Sequence, residues 1–433
     1  MNLKETLSYA LDKLLDSGID SAEGFINESE KKELNIESGK ISLFRTTFSN
    51  SLSLEAIKDY KQSSISVNKI DKKSIDTSIE SLINSVNSSE EDKANDISEK
   101  QPSEVFTKGD LKPDLNLMYD RVQEFNAFVK DGYKKIILEA VTLDHNSSKA
   151  YIANTNGVDF EVNKGLYSFS AMFTAKDGSD TSSFNYTGFE RLKLDKQFKE
   201  QGYISNLLAQ SEEQIKSFPI KDKFVGQVVV TPHCLPDFIS FIDRSISDSS
   251  LISGTSIYKN KIGDKIAAEE FSLSSNPIDD RIDSGYFITG DGYKARNMDI
   301  IKNGVLNTHL LTLYGAKKIN GKRVSNQGGS YIVNSGPDSL ESIIKNIDRG
   351  ILLCRFSGGY PSDNGDFSGV AKNSYYIEGG EIKFPIIETM VSGNISQMFM
   401  NIMSISKESV DFGDSILPWV SFDGVTISWL RKY

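Results

Sequence analysis

Few residues in this chain have side chains suited to chemistry, and they are scattered. His145, His233 and His309 are all of its imidazoles, and Cys234 and Cys354 are all of its thiols, in 433 residues. His233-Cys234 lies between Pro232 and Pro236 and leads into a run with helical apolar spacing at Phe238, Ile239, Ile242 and Ile246. Such a pair ahead of a helix invites a metal or nucleophile reading. A zinc-protease helix, however, needs two histidines on one face and a carboxylate to activate water. Leu235 to Ser247 holds no histidine, and Asp237, Asp243 and Asp248 have no imidazole between them. Neighbouring residues point their side chains apart, so the favoured state of Cys234 is a buried, inert thiol. His309 alternates with apolar residues between Val305 and Leu311 and reads as a core or sheet-surface histidine. Asp279, Asp280, Asp283 and Asp291 could hold a cation, although a solvated loop explains such a run as well. There is no GxSxG elbow, no GxxxxGK[ST] phosphate loop and no GxGxxG after a strand.

A second kind of chemistry needs only main chain. Arg355 to Glu381 carries Gly358-Gly359 and Gly379-Gly380, with Pro361, Asp363 and Asn364 between them. These residue types suit positive φ, close main-chain approach and turns. The segment is expected to form two strand-turn units. Exposed glycine backbone at Gly358 and Gly359, beside Asp366 and Ser368, could hold an extended peptide by hydrogen bonds, and tight hairpins alone would leave the same pattern.

The elements that must position these residues follow from periodicity. Leu3, Leu7, Ala10, Leu11, Leu14 and Leu15 form a helical stripe ending at Gly18. Alternating segments then run from Ala22 to Val67, with Glu37-Ser38-Gly39-Lys40 as a turn, and helical spacing returns from Ser74 to Val86. Asn87 to Pro113 is rich in polar residues and reads as a solvated linker or long loop. Asp114 is a candidate N-cap for a helix through Met118, Val122, Phe125 and Val129. Strands are expected at Ile136 to Leu143, Lys149 to Asn154, Val158 to Val162, Leu166 to Thr174 and Ser182 to Tyr186, with Asn156-Gly157 as a hairpin turn. Lys196 to Ser217 reads as a surface helix ended by Phe218-Pro219. The pattern suggests two α+β units in tandem, residues 1–220, followed by a β-rich mixed domain, residues 221–433, that opens with a strand at Phe224 to Val230. Near its end, Asn394 should cap a helix whose apolar face is Ile395, Met398, Phe399, Ile402 and Ile405.

Composition sets the outer limits. With 38% hydrophobic and 25% charged residues the chain resembles an ordinary globular protein, and its net charge of -11 speaks against binding nucleic acid through phosphates. The opening residues lack a signal-peptide core, no apolar run approaches the roughly 20 residues of a membrane span, and the cysteines form no disulfide framework. A cytoplasmic location is expected, with no membrane contact.

Motifs in fixed order along nearly the whole chain resemble the TldD/PmbA family, described as modulators of DNA gyrase and as metalloprotease subunits. They are Asp299 to Leu306, Leu310 to Lys317 with Gly328-Gly329, Gly358-Gly359 through Gly365-Asp366-Phe367-Ser368 to Ile377-Glu378-Gly379-Gly380-Glu381-Ile382, Pro385, and Ser392-Gly393-Asn394. The N-terminal helix and Glu33 to Phe44 are similar more loosely. The resemblance implies an α+β fold and two branches. One carries a zinc-binding HExxxH helix and a downstream cysteine ligand; the other, PmbA (TldE)-like, lacks the helix motif. This chain resembles the second, because Cys234 to Ser247 holds neither the histidines nor the glutamate, and Lys407 to Trp419 holds no cysteine. The implied role is a non-catalytic subunit that pairs with a zinc-bearing TldD-like chain, or with itself, and helps to hold peptides or unfolded proteins. No metal ligand is then expected in this chain. Gly328, Gly329, Gly358, Gly359, Asp366 and Ser368 are the candidate groove residues. A stand-alone hydrolase using Cys234 with His233 or a carboxylate-bound metal, and a homodimeric scaffold, are the alternatives.

Overall fold

The computed structural model describes residues 2–37, 39–387 and 389–429; Ser38, in the expected turn, lies outside them. Helix α1 (Leu3–Asp16) starts at a reciprocal cap: the Asn2 side chain accepts from the Glu5 amide, and the Glu5 carboxylate accepts from the Asn2 amide. It ends before Gly18, whose φ of 80° a residue with a Cβ adopts poorly. Strands β1 (Ser21–Glu37), β2 (Lys40–Lys58) and β3 (Lys61–Val67) then form an antiparallel meander, closed by α2 (Lys72–Ser88). After β4 (Glu104–Lys108) the order recurs as α3 (Leu115–Gly132), β5 (Ile136–Asn154), β6 (Asp159–Asp177), the short β7 (Asp180–Thr181), β8 (Asn185–Arg191) and α4 (Ile204–Glu213). Antiparallel pairing of β1 with β5, from Glu23 opposite Asn154 to Ile36 opposite Val141, fuses the two units into one sheet. Its order is β3-β2-β1-β5-β6, with β4 and β8 sharing the far edge of β6.

Side chains alternate across a strand, so residues of one parity face the helices. Ala22 and Ile26 pack with Leu7, Leu14, Ile79 and Leu82 of α1 and α2. Leu34 and Ile36 pack with Met118, Val122 and Phe125 of α3 and Leu208 of α4. All four helices therefore cover one face. Asp114 caps α3 as expected, by accepting from the Leu117 amide.

Three expectations for the first half of the chain need correction. The polar stretch Asp144 to Ser148 does not break the strand, because β5 runs through it while paired to both β1 and β6. The expected linker is not simply solvated: Ala94, Ile97 and Ser98 are buried, and the stretch supplies β4. The expected surface helix at Lys196 to Ser217 is broken by Gly202 and Tyr203, both at positive φ, and Phe198, Ile204 and Leu208 are buried.

The second sheet begins with β9 (Phe224–Val230), followed by α5 (Leu235–Ser245) and α6 (Asp248–Ser253). Next come β10 (Leu273–Ser275), β11 (Met298–Lys302), β12 (Val305–Leu306), α7 (Leu313–Ile319), β13 (Tyr331–Val333) and α8 (Leu340–Lys345). The glycine-rich stretch forms two hairpins after β14 (Arg349–Leu353), as expected: β15 (Arg355–Gly358) with β16 (Asp366–Lys372), and β17 (Tyr375–Glu378) with β18 (Glu381–Pro385). Strand β19 (Thr389–Asn394), α9 (Ile395–Met400), β20 (Ile402–Asp411) and β21 (Ile416–Trp429) complete it. The sheet is mixed: β9 pairs antiparallel with β21 and parallel with β14. Asn394 caps α9 by accepting from the Gln397 amide. The expected longer helix is corrected, since Ile402 and Ile405 belong to β20 and reach the core from a strand. At Asn303 and Gly304, φ of 49° and 77° makes the Asp299 to Leu306 motif a two-residue hairpin.

The helix-free face of the first sheet meets the second half of the chain across a cleft of about 680 Å³, walled on the far side by residues 285–292. Lys164 Nζ donates to the Gly285 carbonyl at 2.8 Å, and Phe106 stacks on Phe287. Further along, the Glu190 amide donates to the Phe412 carbonyl at 2.7 Å. Glu23 and Glu55 stand directly opposite each other on β1 and β2 in this cleft. Burial, then the Glu55 and Asp291 charges, push Glu23 from 4.5 up to about 8. The folded state thus holds a proton that the unfolded chain releases, so stability is fullest below about pH 4.5 and declines as pH rises toward about 8. Glu23→Gln is expected to flatten that decline, read as thermal midpoints at pH 6 and pH 8. Equal falls in both proteins would refute it.

Candidate functional site

Helix α5 is amphipathic. Leu235, Phe238, Ile239, Phe241 and Ile242 are buried against Val228, Val230, Val420 and Phe422 of the sheet, which leaves Asp237, Ser240, Asp243 and Arg244 on the polar side. Two of the three glycine pairs singled out in the sequence, Gly328-Gly329 and Gly358-Gly359, lie near that helix. Near its C-terminal end, Tyr331 Oη donates to Asp243 Oδ1, and Tyr286 Oη donates to the Gly328 carbonyl at 2.7 Å. Burial raises the Asp243 carboxyl and the Tyr286 phenol; burial, then the Asp243 charge, raises Tyr331. The Gly328 amide donates to Asn326 Oδ1, and Ser275 Oγ donates to the Gly329 carbonyl at 2.6 Å. Gly328-Gly329 is therefore a clamped turn with little free main chain.

Gly358-Gly359 is different. Among the described residues strand β15 pairs with β16 alone, and its other edge faces a cleft only toward Gly358 and Gly359. On that edge the Phe356 main chain lies near the Cys234 thiol. Alternate residues present their main-chain groups to the same side, so the Gly358 main chain also lies on this edge. It opens on a cleft of about 380 Å³ between α5 and the turn, lined by Asp237, Phe238, Ser240, Phe356 and Gly359, with Tyr360 91% exposed at its rim. Arg244 Nη2 donates to the Pro361 carbonyl at 2.7 Å and ties this turn to α5. Crowding raises the Asp237 carboxyl, although its outer side is open to solvent. Strand β16 is paired on both sides, so Ser368 has only its side chain to offer. The Asp366 carboxylate accepts from Asn364 Nδ2 at 2.9 Å and Asn394 Nδ2 at 2.8 Å, which lowers its pKa. The structure thus brings Gly358 and Gly359 to an open edge, and it places Gly328, Gly329, Asp366 and Ser368 in roles that hold the loops.

The donors present do not fit a zinc ion. Among the described residues, no three His, Cys, Asp or Glu side chains cluster closely enough to hold a metal. Cys234 is buried, and burial raises its thiol well above the usual range. His233 points away from it, its Nε2 lying 3.1 Å from Thr187 Oγ1 and 3.2 Å from the Gly202 carbonyl, and burial pulls it down to about 4. His309 is buried, with Nε2 2.9 Å from the Tyr258 carbonyl, in keeping with a core histidine. Asp291 is held by Arg323, Asp279 by Arg281, and Asp283 lies near Arg191, so the acidic run is dispersed among arginines. Sequence reasoning missed Tyr286, Tyr331 and the Phe356 main chain, because their partners are far off in the chain. Only Asp243, polar within an apolar helical run, gave a signal.

Residues 225–429 match the PmbA/TldA metallopeptidase C-terminal domain. A metalloprotease PmbA homolog of Buchnera aphidicola is 31% identical over 174 residues, 40% of this chain and 39% of that protein, so the match spans well under half of either. Among solved structures, TldE from Thermococcus kodakarensis superposes with a TM-score of 0.86 at 19% identity, over 98% of this chain and 99% of the other. A Bacteroides thetaiotaomicron protein named for modulation of DNA gyrase superposes at 0.84 with 22% identity, over 99% of each chain. At such identities these two show a shared fold. The domain match over residues 225–429 thus relates the C-terminal half of the chain to the PmbA/TldD family, and the superpositions show that the whole chain shares the TldE fold.

Proposed function

We propose that this chain is a PmbA (TldE)-type subunit that holds peptide or unfolded protein for a zinc-bearing TldD-like partner and binds no catalytic zinc itself. The observation that carries the reading is the polar side of α5. By the resemblance this helix corresponds to the zinc helix of the other branch, and its polar side here carries Asp237, Ser240, Asp243 and Arg244 beside the cleft at Gly358 and Gly359. An extended main chain could add to the strand edge there without regard to its sequence, which suits unfolded substrates. A buried thiol with a raised pKa is a poor nucleophile, so the same geometry argues against a stand-alone Cys234 hydrolase.

The test is elemental analysis of the purified chain after dialysis, followed by peptide hydrolysis with and without a TldD-like protein. No stoichiometric zinc, no hydrolysis alone and activity on mixing are expected. About one retained zinc per chain, which requires three or four protein ligands, would overturn the reading. So would hydrolysis by the chain alone.

A further inference from the structure

Arg355 opens the β15 edge strand, and its side chain enters a second cleft, of about 400 Å³, between the two halves of the molecule. Tyr186 and Glu190 line this cleft from the first sheet, and His233, Phe412 and Asp414 line it from the other half. The guanidinium carbon lies 4.1 Å from the centre of the Phe184 ring and 5.9 Å from that of Tyr186. The nearer ring attracts the guanidinium through its π face.

What the guanidinium lacks is an acceptor. Its Nε is buried and has no hydrogen-bond partner among the described residues. By contrast Arg191, Arg281, Arg323 and Arg349 each donate to a carboxylate, and Arg244 donates to a carbonyl. A buried donor without an acceptor is costly, and burial correspondingly lowers the Arg355 pKa. His233 is neutral in its lowered range, so Arg355 is the cation of this cleft among the described residues. Glu190 and Asp414 would in turn suit a ligand that also carries an ammonium group.

We propose that Arg355 anchors a carboxylate in this cleft, supplied by the C-terminus of a bound peptide or by an acidic side chain. A planar fork lying over the Phe184 ring presents N–H groups of the kind that a carboxylate accepts in bidentate fashion. The volume suits a few residues of peptide. Arg355 and Gly358 lie on one strand but open on two separate clefts, so a peptide reaching both would have to extend past the start of β15. The inference rests on the peptide-holding part of the reading above and adds a charge preference to it.

The test uses the full chain without a partner and three fluorescent versions of one short peptide: free acid, C-terminal amide, and amide with an internal glutamate. The free acid is expected to bind about tenfold more tightly than the plain amide, as loss of a charge-assisted hydrogen bond would give. Arg355→Met, which keeps the length and an apolar contact with the rings but removes the charge, should erase that difference, and Arg355→Lys should restore part of it. Thermal midpoints of both variants show that they fold. If the glutamate peptide binds like the free acid, the source is any carboxylate; if it binds like the amide, the source is the peptide terminus, and either result supports the anchor. Equal affinity for all three peptides, unchanged by Arg355→Met, would overturn the anchor and leave the peptide-holding role standing. Failure of every peptide to bind would overturn both.

Discussion

Gly328→Val is expected to lower the thermal midpoint of the C-terminal half by roughly 6 to 12 °C, from a cost of about 3 kcal/mol spread over a unit of some 200 residues. Two effects add. The backbone at Gly328 has a φ of 89°, which a β-branched residue adopts only under strain. A Cβ built there falls 2.6 Å from Tyr331 Oη and 2.7 Å from Asp243 Oδ1, so valine must break the hydrogen bond between those two buried groups. The turn would leave α5, and the Tyr286 bond to the Gly328 carbonyl would go with it. Differential scanning fluorimetry on the purified chain decides the matter. A midpoint within a degree of the parent would show that the clamp contributes nothing.

The same substitution at Gly359 should behave in the opposite way. No atom lies within 4 Å of a Cβ built at Gly359, and its φ lies outside the left-handed region. The stability change is expected to stay within about 0.5 kcal/mol, as for an exposed position with no special contact. Positive φ in this stretch falls instead at Gly365, Asn373, Gly379 and Gly380. Valine would nonetheless stand beside the open β15 edge and obstruct an incoming strand. Gly359→Val should therefore still co-purify with a TldD-like chain, while peptide hydrolysis by the pair falls about fivefold or more, equivalent to losing one or two main-chain hydrogen bonds. Unchanged hydrolysis by the folded pair would remove this edge from the substrate path.

The two glycine pairs illustrate what the sequence could and could not convey. Asp114, Asn394 and the Asn156-Gly157 turn were legible because a cap or tight turn is decided by residues within a few positions. The helical stripes of α1 and α2 were legible for the same reason. Ile402 and Ile405 continued the helical spacing of Ile395, Met398 and Phe399, yet they lie in β20, because pairing with β21 overrides local periodicity. Asp144 to Ser148 looked like a break between strands, yet ladders on both sides hold it extended. At the candidate site, glycine marked where main chain comes close to something, but not whether that main chain is free. Gly328 and Gly329 are occupied by Tyr286, Ser275 and Asn326, and only the fold brings those side chains to them. Arg355 carried no signal at all, since an arginine ahead of a strand reads the same with or without an acceptor.

Strand β9 lies between β14 and β21, so one of its two ladders is completed only by residues 416–429. During synthesis on a ribosome, residues 224–230 must wait with one edge unsatisfied until nearly all of the described chain has emerged. The ladders β1 to β8 involve only residues 21–191 and can close long before that. Such long sequence separation slows folding and prolongs the exposure of apolar strands such as Val228 to Val230. The half of the molecule that carries α5 and the glycine loops is thus the half whose apolar strands stay exposed longest during synthesis. A chain read here as a holder of unfolded protein would itself pass through the kind of state it is suited to bind.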